Sequence, residues 1–153
     1  LRTSEKARYR KMNFFMEMRP PTATAQEHSV KVVQGRPVFF DPPNVREARE
    51  LLTAHLVKHK PEVPIEGALE LTVLWLFPKG KSHKHGEWRK TRPDTDNLQK
   101  LLKDCMTRVG FWKDDAQVVS EKVQKRWSDD PTGIYIEITE LEVAGGNEQD
   151  RST

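Results

Sequence analysis

The chain holds one cysteine, Cys105, among its 153 residues. No intramolecular disulfide can brace it, and a fold that does without one points to a reducing compartment, here the cytoplasm. No apolar run approaches the roughly 20 residues that cross a bilayer, which excludes a helical membrane protein and a membrane partner. The basic stretch Leu1 to Lys11 lacks the apolar centre of a secretory signal and is expected to be a flexible amino-terminal segment outside the fold. Internal repeats are absent, which removes solenoids and propellers. Neither sign of charge dominates: 26 Lys and Arg face 23 Asp and Glu, a net charge of +3, so total charge alone does not identify a nucleic-acid binder. What is present is the composition of a globular protein, 35% hydrophobic and 32% charged, in a length that suits one compact domain rather than two.

Hydrophobic periodicity and turn residues order that domain. Met12 to Met18 reads as a short strand stopped by Arg19-Pro20-Pro21, because proline cannot donate to a ladder. Ser29 to Phe40 reads as a hairpin turning at Gln34-Gly35-Arg36. From Pro43 or Asn44, apolar residues Val45, Ala48, Leu51, Leu52 and Leu56 recur at helical spacing, and Pro61 and Pro64 end that pattern. Glu66 to Phe77 predicts a strand that is apolar on both faces in its later half, as a central strand would be. A polar loop, Pro78 to Pro93, follows. Asn97 to Val109 is the clearest helix, with Leu98, Leu101, Leu102, Cys105, Met106 and Val109 in one stripe and Gly110 as its stop. Ala116 to Trp127 and Gly133 to Leu141 predict two final strands. The domain thus runs from 12 to 142, and residues 143–153, rich in Gly, Asn, Glu and Ser, predict a disordered tail.

The chemistry gathers at element ends. Asp94-Thr95-Asp96-Asn97 lies between a basic loop and the strongest helix, and Asp114-Asp115 lies in the turn after it. In an extended lead-in, side chains two apart point the same way, so Asp94 and Asp96 can converge. Such a pair suits a hard cation. Magnesium accepts a few carboxylate oxygens and keeps several waters, and Asp114 or Asp115 would supply a third carboxylate. Lys100, one helical turn after Asp96, would reach a metal-bound phosphate or make an i,i+4 pair. Hydrolysis of a phosphodiester gives this set a purpose, because carboxylate-held Mg²⁺ stabilises charge on the phosphate and activates water. The plainer readings are that Asp96 caps the helix and that Asp114-Asp115 is a solvated turn.

Just ahead of the aspartates, Lys79, Lys81, Lys84, Arg89, Lys90 and Arg92 crowd one loop with Glu87 as the only opposing charge. A patch of that kind attracts phosphates without reading sequence. Trp88 within it would stack on an unpaired base or pack on its own loop. His83 and His85 lack the further ligands of a zinc site. Trp75 and Trp127 are expected in the core, and Phe111-Trp112 beneath the second aspartate pair.

The runs Arg92-Pro93-Asp94-Thr95-Asp96-Asn97-Leu98-Gln99-Lys100 and Gly110-Phe111-Trp112-Lys113-Asp114-Asp115-Ala116-Gln117-Val118-Val119 closely resemble the signature of the RusA family of Holliday-junction resolvases. The likeness is densest from Arg92 to Val119 and extends through the order of elements over about Met12 to Leu141. It implies a single domain of the α/β class, of α+β type, with a small mixed sheet packed against two main helices. It also implies a homodimer that uses Mg²⁺, with Mn²⁺ as a substitute, to resolve four-way DNA in recombination and repair by paired nicks. Carried over residue by residue, the family's catalytic group matches Asp94, Asp96, Asp115 and Lys100, with the three aspartates as metal ligands. Asp114 then becomes a neighbour, and Asn97 orients the aspartates or caps the helix. Where the family often has a Ser/Asn-rich turn after its early diproline, this chain has Thr22-Ala23-Thr24. A less specific nuclease for flaps or other branched DNA, a non-catalytic junction binder and a structural subunit are the competing functions.

Overall fold

In a computed structural model of the chain, residues 10–24, 29–40 and 42–141 are described. The expected amino-terminal segment before residue 10 and the expected tail after Leu141 lie outside them. The elements run β1 (Lys11–Glu17), β2 (Ser29–Val33), β3 (Arg36–Phe40), α1 (Pro43–Val57), β4 (Leu69–Pro78), α2 (Thr95–Val109), a 3-10 turn (Asp115–Gln117), β5 (Val118–Ser128) and β6 (Gly133–Glu140). The result is the expected α+β domain with two main helices.

β4 is central as its doubled apolar pattern predicts. The main sheet has the order β1-β6-β4-β5; β4 pairs antiparallel with β6 and parallel with β5, which makes the sheet mixed. Parallel neighbours need a crossover, and α2 provides it. Leu69, Leu71, Val73, Trp75 and Phe77 of β4 are buried. They join Ile134, Ile136 and Ile138 of β6 and the α2 stripe Leu98, Leu101, Leu102, Cys105 and Met106 in one core. Each such aliphatic side chain contributes about 1.5–3 kcal/mol on full burial. The two helices also touch through polar groups: the Cys105 thiol lies 4.0 Å from the Arg49 carbonyl oxygen, and Arg49 pairs with Asp104 at 3.9 Å. The small second sheet, β2-β3, turns through Gln34 and Gly35 at φ of 52° and 76°, the positive pair that a two-residue hairpin turn requires.

Three boundaries differ from expectation for local reasons. α2 starts at Thr95 rather than Asn97, because Asp94 is extended (φ −73°, ψ 151°) and nothing after it resists helix. The strand expected from Ala116 opens with the 3-10 turn, whose cap side chains hold residues 114–117 out of the ladder. Glu66 and Gly67 stay outside β4, where the Gly67 amide donates to the Glu140 carboxylate at 3.2 Å. Gly110 ends α2 at φ 107°, its amide bonded to the Met106 carbonyl, as the stop signal predicts. The Arg92–Pro93 and Asp130–Pro131 peptide bonds are cis.

Candidate active site

An open trough of about 360 Å³ runs along α2 where it overlies β5, lined by Asp96, Gln99, Lys100, Lys103, Asp115 and Glu121. Its floor is a chain of hydrogen bonds. The Trp75 indole N–H donates to Gln99 Oε1 at 2.8 Å, Gln99 Nε2 donates to Glu121 Oε2 at 2.7 Å, and Lys103 Nζ donates to Glu121 Oε1 at 3.0 Å. Gln99 is only 3% exposed, so both ends of its amide need partners, and it has them. Sequence reasoning missed Gln99 and Glu121. The available signal was a polar residue between Leu98 and Leu101, on the face that otherwise supplies the core.

Asp94 is the N-cap of α2, yet its side chain accepts no capping hydrogen bond. Asp96 sits inside the first turn, so it is not the cap, and the extended lead-in expected to align the two carboxylates ends between them. Lys100 is exposed and forms no ion pair with Asp96. The side chains of Asp94, Asp96, Asp115 and Lys100 make no hydrogen bond or ion pair among the described residues. Three carboxylates and a lysine thus stand open to solvent around α2 without a protein hydrogen-bond partner.

The second aspartate pair divides its labour. Asp114 Oδ1 accepts the Ala116 amide at 2.8 Å, and Gln117 Oε1 accepts the Asp114 amide at 3.1 Å, closing a reciprocal capping box. Gln117 Nε2 then donates to the Ile65 and Gly67 carbonyls. Asp115, free of these duties, faces the trough. Phe111 and Trp112 are buried beneath this turn as expected, with the Trp112 indole donating to Thr107 Oγ1 at 2.7 Å.

Asp115 also borders a second depression with Asp104, Thr107, Arg108 and Lys113, which places it beside the last turns of α2. Among the described residues no three His, Cys, Asp or Glu side chains lie close enough together to hold a metal ion. Asp94 and Asp96 stand at the start of α2, and Asp115 lies between the trough it shares with Asp96 and the second depression. The donor set still fits magnesium in kind: hard carboxylate oxygens, open to water, with no soft ligand beside them. Asn97 makes no side-chain hydrogen bond among the described residues, so it does not cap the helix.

The basic loop is pinned to β5 rather than free. Gly86 and Glu87 exchange backbone hydrogen bonds with Trp127, and the Arg89 amide donates to the Lys125 carbonyl at 3.0 Å. Lys81, Lys84, Lys90 and Arg92 are exposed, while Lys79 is half-buried with its ammonium on the Gly80 carbonyl. Arg89 departs from the expected DNA-facing role, because its guanidinium lies 4.2 Å from the centre of the Phe77 ring and 4.4 Å from that of Trp127. Trp127 is half-buried rather than in the core; His83 stacks on it at 4.1 Å and pairs with Glu87 at 2.9 Å. The Lys84 amide, and then His83, hold the Glu87 carboxyl below its ordinary pKa. His85 Nδ1 accepts the Asp129 amide. Trp88 stays 55% exposed although the Arg126 guanidinium covers one part of it at 3.5 Å from the ring centre.

Comparison with known proteins follows the same lines. Residues 19–139 match the sequence profile of a family described as Endodeoxyribonuclease RusA. The chain is 33% identical over 133 residues to a crossover junction endodeoxyribonuclease of Lactococcus phage r1t, covering 86% of this chain and 99% of that protein. It is 30% identical over 120 residues to the YqaN protein of Bacillus subtilis, covering 65% and 84%. Against the Escherichia coli (strain K12) crossover junction endodeoxyribonuclease RusA it is 46% identical over 57 residues, covering 37% and 44%.

Proposed function

We propose, because the chain belongs to the RusA family of endodeoxyribonucleases, that it resolves four-way DNA junctions in recombination and repair by metal-dependent hydrolysis of the phosphodiester backbone. The observation that carries this reading is the set of partnerless side chains around α2. Asp94, Asp96, Asp115 and Lys100 stand exposed or half-exposed with no hydrogen bond or ion pair among the described residues, beside a loop that projects Lys81, Lys84 and Lys90. Asp94, Asp96 and Asp115 would hold Mg²⁺, or Mn²⁺ in its place, which supplies charge stabilisation at the scissile phosphate and an activated water. Lys100 places an ammonium where a phosphate oxygen gains charge, a contribution that requires no metal. Asp114 serves by fixing the turn that presents Asp115. A two-fold homodimer suits a substrate with near two-fold symmetry and two strands to cut. A cytoplasmic location accords with Cys105, a buried free thiol whose pKa burial raises. No helix among the described residues is long and apolar enough to cross a membrane.

Incubation with end-labelled four-way junction, flap and linear duplex, with and without Mg²⁺, tests the proposal directly. Symmetric nicks in the junction that require the metal are expected. Equal cutting of flap and junction would favour the broader branched-DNA nuclease, and binding without cutting under any divalent ion would leave a junction-binding protein.

The loop carries a separate expectation. Changing Lys81, Lys84 and Lys90 to Gln should weaken junction binding. It should also flatten the slope of log affinity against log salt by about 2–3, since each phosphate contact contributes about 0.9. Cleavage at saturating protein should persist. Arg89 is left out of this set because its guanidinium is held between two rings. A triple variant with unchanged affinity and salt slope would make the loop an ordinary solvated surface.

A further inference from the structure

The three residues ahead of Asp94 are held in an unusual way. Lys125 Nζ donates to the Thr91 carbonyl at 2.8 Å and to the Pro93 carbonyl at 2.7 Å, and Arg89 Nη2 donates to the intervening Arg92 carbonyl at 2.5 Å. Three successive backbone carbonyls are therefore gripped by two cationic side chains. We propose that Arg89 and Lys125 are positioning residues that lock the Thr91–Pro93 backbone and so set where the Asp94 carboxylate stands. This rests on the reading of Asp94 as a metal ligand.

Both cations are themselves fixed. The Arg89 guanidinium lies over the rings of Phe77 and Trp127, and its backbone amide donates to the Lys125 carbonyl. Lys125 lies on β5, paired with Trp75 of the central strand, so the grip ties the turn to the main sheet. Burial first, and then the charge of Arg89, lower the pKa of Lys125, while the negative charge of Asp94 works the other way. The lysine stands near Asp94 without an ion pair to it. Its hydrogen bonds go to the backbone instead, and the Asp94 side chain remains without a partner while the Asp94 carbonyl starts α2 by accepting the Leu98 amide at 3.0 Å. A ligand held by its backbone, with the carboxylate left free, is the arrangement that keeps a carboxylate available and in one place.

The test uses full-length Lys125→Met and Lys125→Arg proteins, with Arg89→Lys as an independent perturbation of the same grip. Three readouts are taken: Mn²⁺ affinity without DNA by electron paramagnetic resonance, amide hydrogen exchange over residues 90–98 without metal, and junction affinity in EDTA. For Lys125→Met, Mn²⁺ affinity should fall about tenfold or more, the usual scale for groups that orient ligands. The Leu98 amide should exchange faster, and junction affinity should change less than twofold. Lys125→Arg, which keeps donors on a long side chain, should recover part of the Mn²⁺ loss, and Arg89→Lys should reproduce the faster exchange. If exchange and Mn²⁺ affinity in Lys125→Met match the unaltered chain, the proposal is wrong. A drop in thermal midpoint without a change in either would likewise leave Lys125 a purely structural residue. Should the unaltered chain bind no Mn²⁺, the metal-site reading fails, while the exchange data still decide whether the grip exists.

Discussion

Asp94→Asn, Asp96→Asn and Asp115→Asn should each lower nicking of a four-way junction by about 10³-fold or more. Stabilisation worth several kcal/mol is lost with a metal ligand, and each 1.36 kcal/mol is a factor of ten in rate. Asparagine keeps the shape of aspartate and removes the charge, so the fold should survive: none of the three side chains makes a hydrogen bond or ion pair that the substitution would break among the described residues. Junction binding in EDTA should hold or rise slightly, because a negative charge leaves a surface that meets phosphates. Asp114→Asn is the informative control. Its side chain accepts the Ala116 amide in a capping box, and asparagine caps about as well as aspartate, so that variant should stay within a few-fold of full activity. Two adjacent aspartates would then differ by more than two orders of magnitude. Gel shift and nicking assays on the four variants decide it. Full activity in any of the first three removes that residue from the site, and a loss in Asp114→Asn as deep as in Asp115→Asn would erase the division of roles.

That division shows where the sequence was legible and where it stopped. Asp94 and Asp96 could be picked out because they stand at the start of α2, whose apolar stripe is unambiguous, and helix ends present side chains to solvent. The strands β1, β4 and β6 followed from alternation and from the prolines and glycines around them. What stayed hidden depends on contacts between residues far apart in the chain. Whether Asp114 or Asp115 is free turns on Gln117, which reaches back to Ile65 and Gly67. Gln99 is an ordinary helix residue until Trp75 and Glu121 close on it. Arg89 counts as one more loop cation until Phe77 and Trp127 enclose its guanidinium, and no local pattern reveals that a β5 lysine will grip the turn before Asp94. The hydrogen bonds of α2 with its own first turn were predictable; those across the sheet were not, because periodicity says which face is buried and not what it meets.

Mixing two inactive proteins should restore cleavage. Asp96 and Asp115 line one trough, yet among the described residues no three acidic or ligating side chains stand close enough together to hold a metal ion. A site completed on dimerisation would take one carboxylate from the partner copy, since in a two-fold dimer whatever one chain lends it also receives. Sedimentation equilibrium should first give twice the chain mass of 17.8 kDa. Asp96→Asn and Asp115→Asn homodimers each carry two damaged sites. In their heterodimer, sharing across the two-fold axis gathers both substitutions into one site and leaves the other intact, so the mixture should regain nicking and accumulate singly nicked junctions. If each site is built within one chain, both sites of the heterodimer stay damaged and the mixture remains as inactive as its parents. A heterodimer of Asp96→Asn with the unaltered chain gives single nicks under either arrangement and calibrates the assay. Inactivity of the double mixture, with exchange of subunits verified by mass, would place all three aspartates of a site in one subunit.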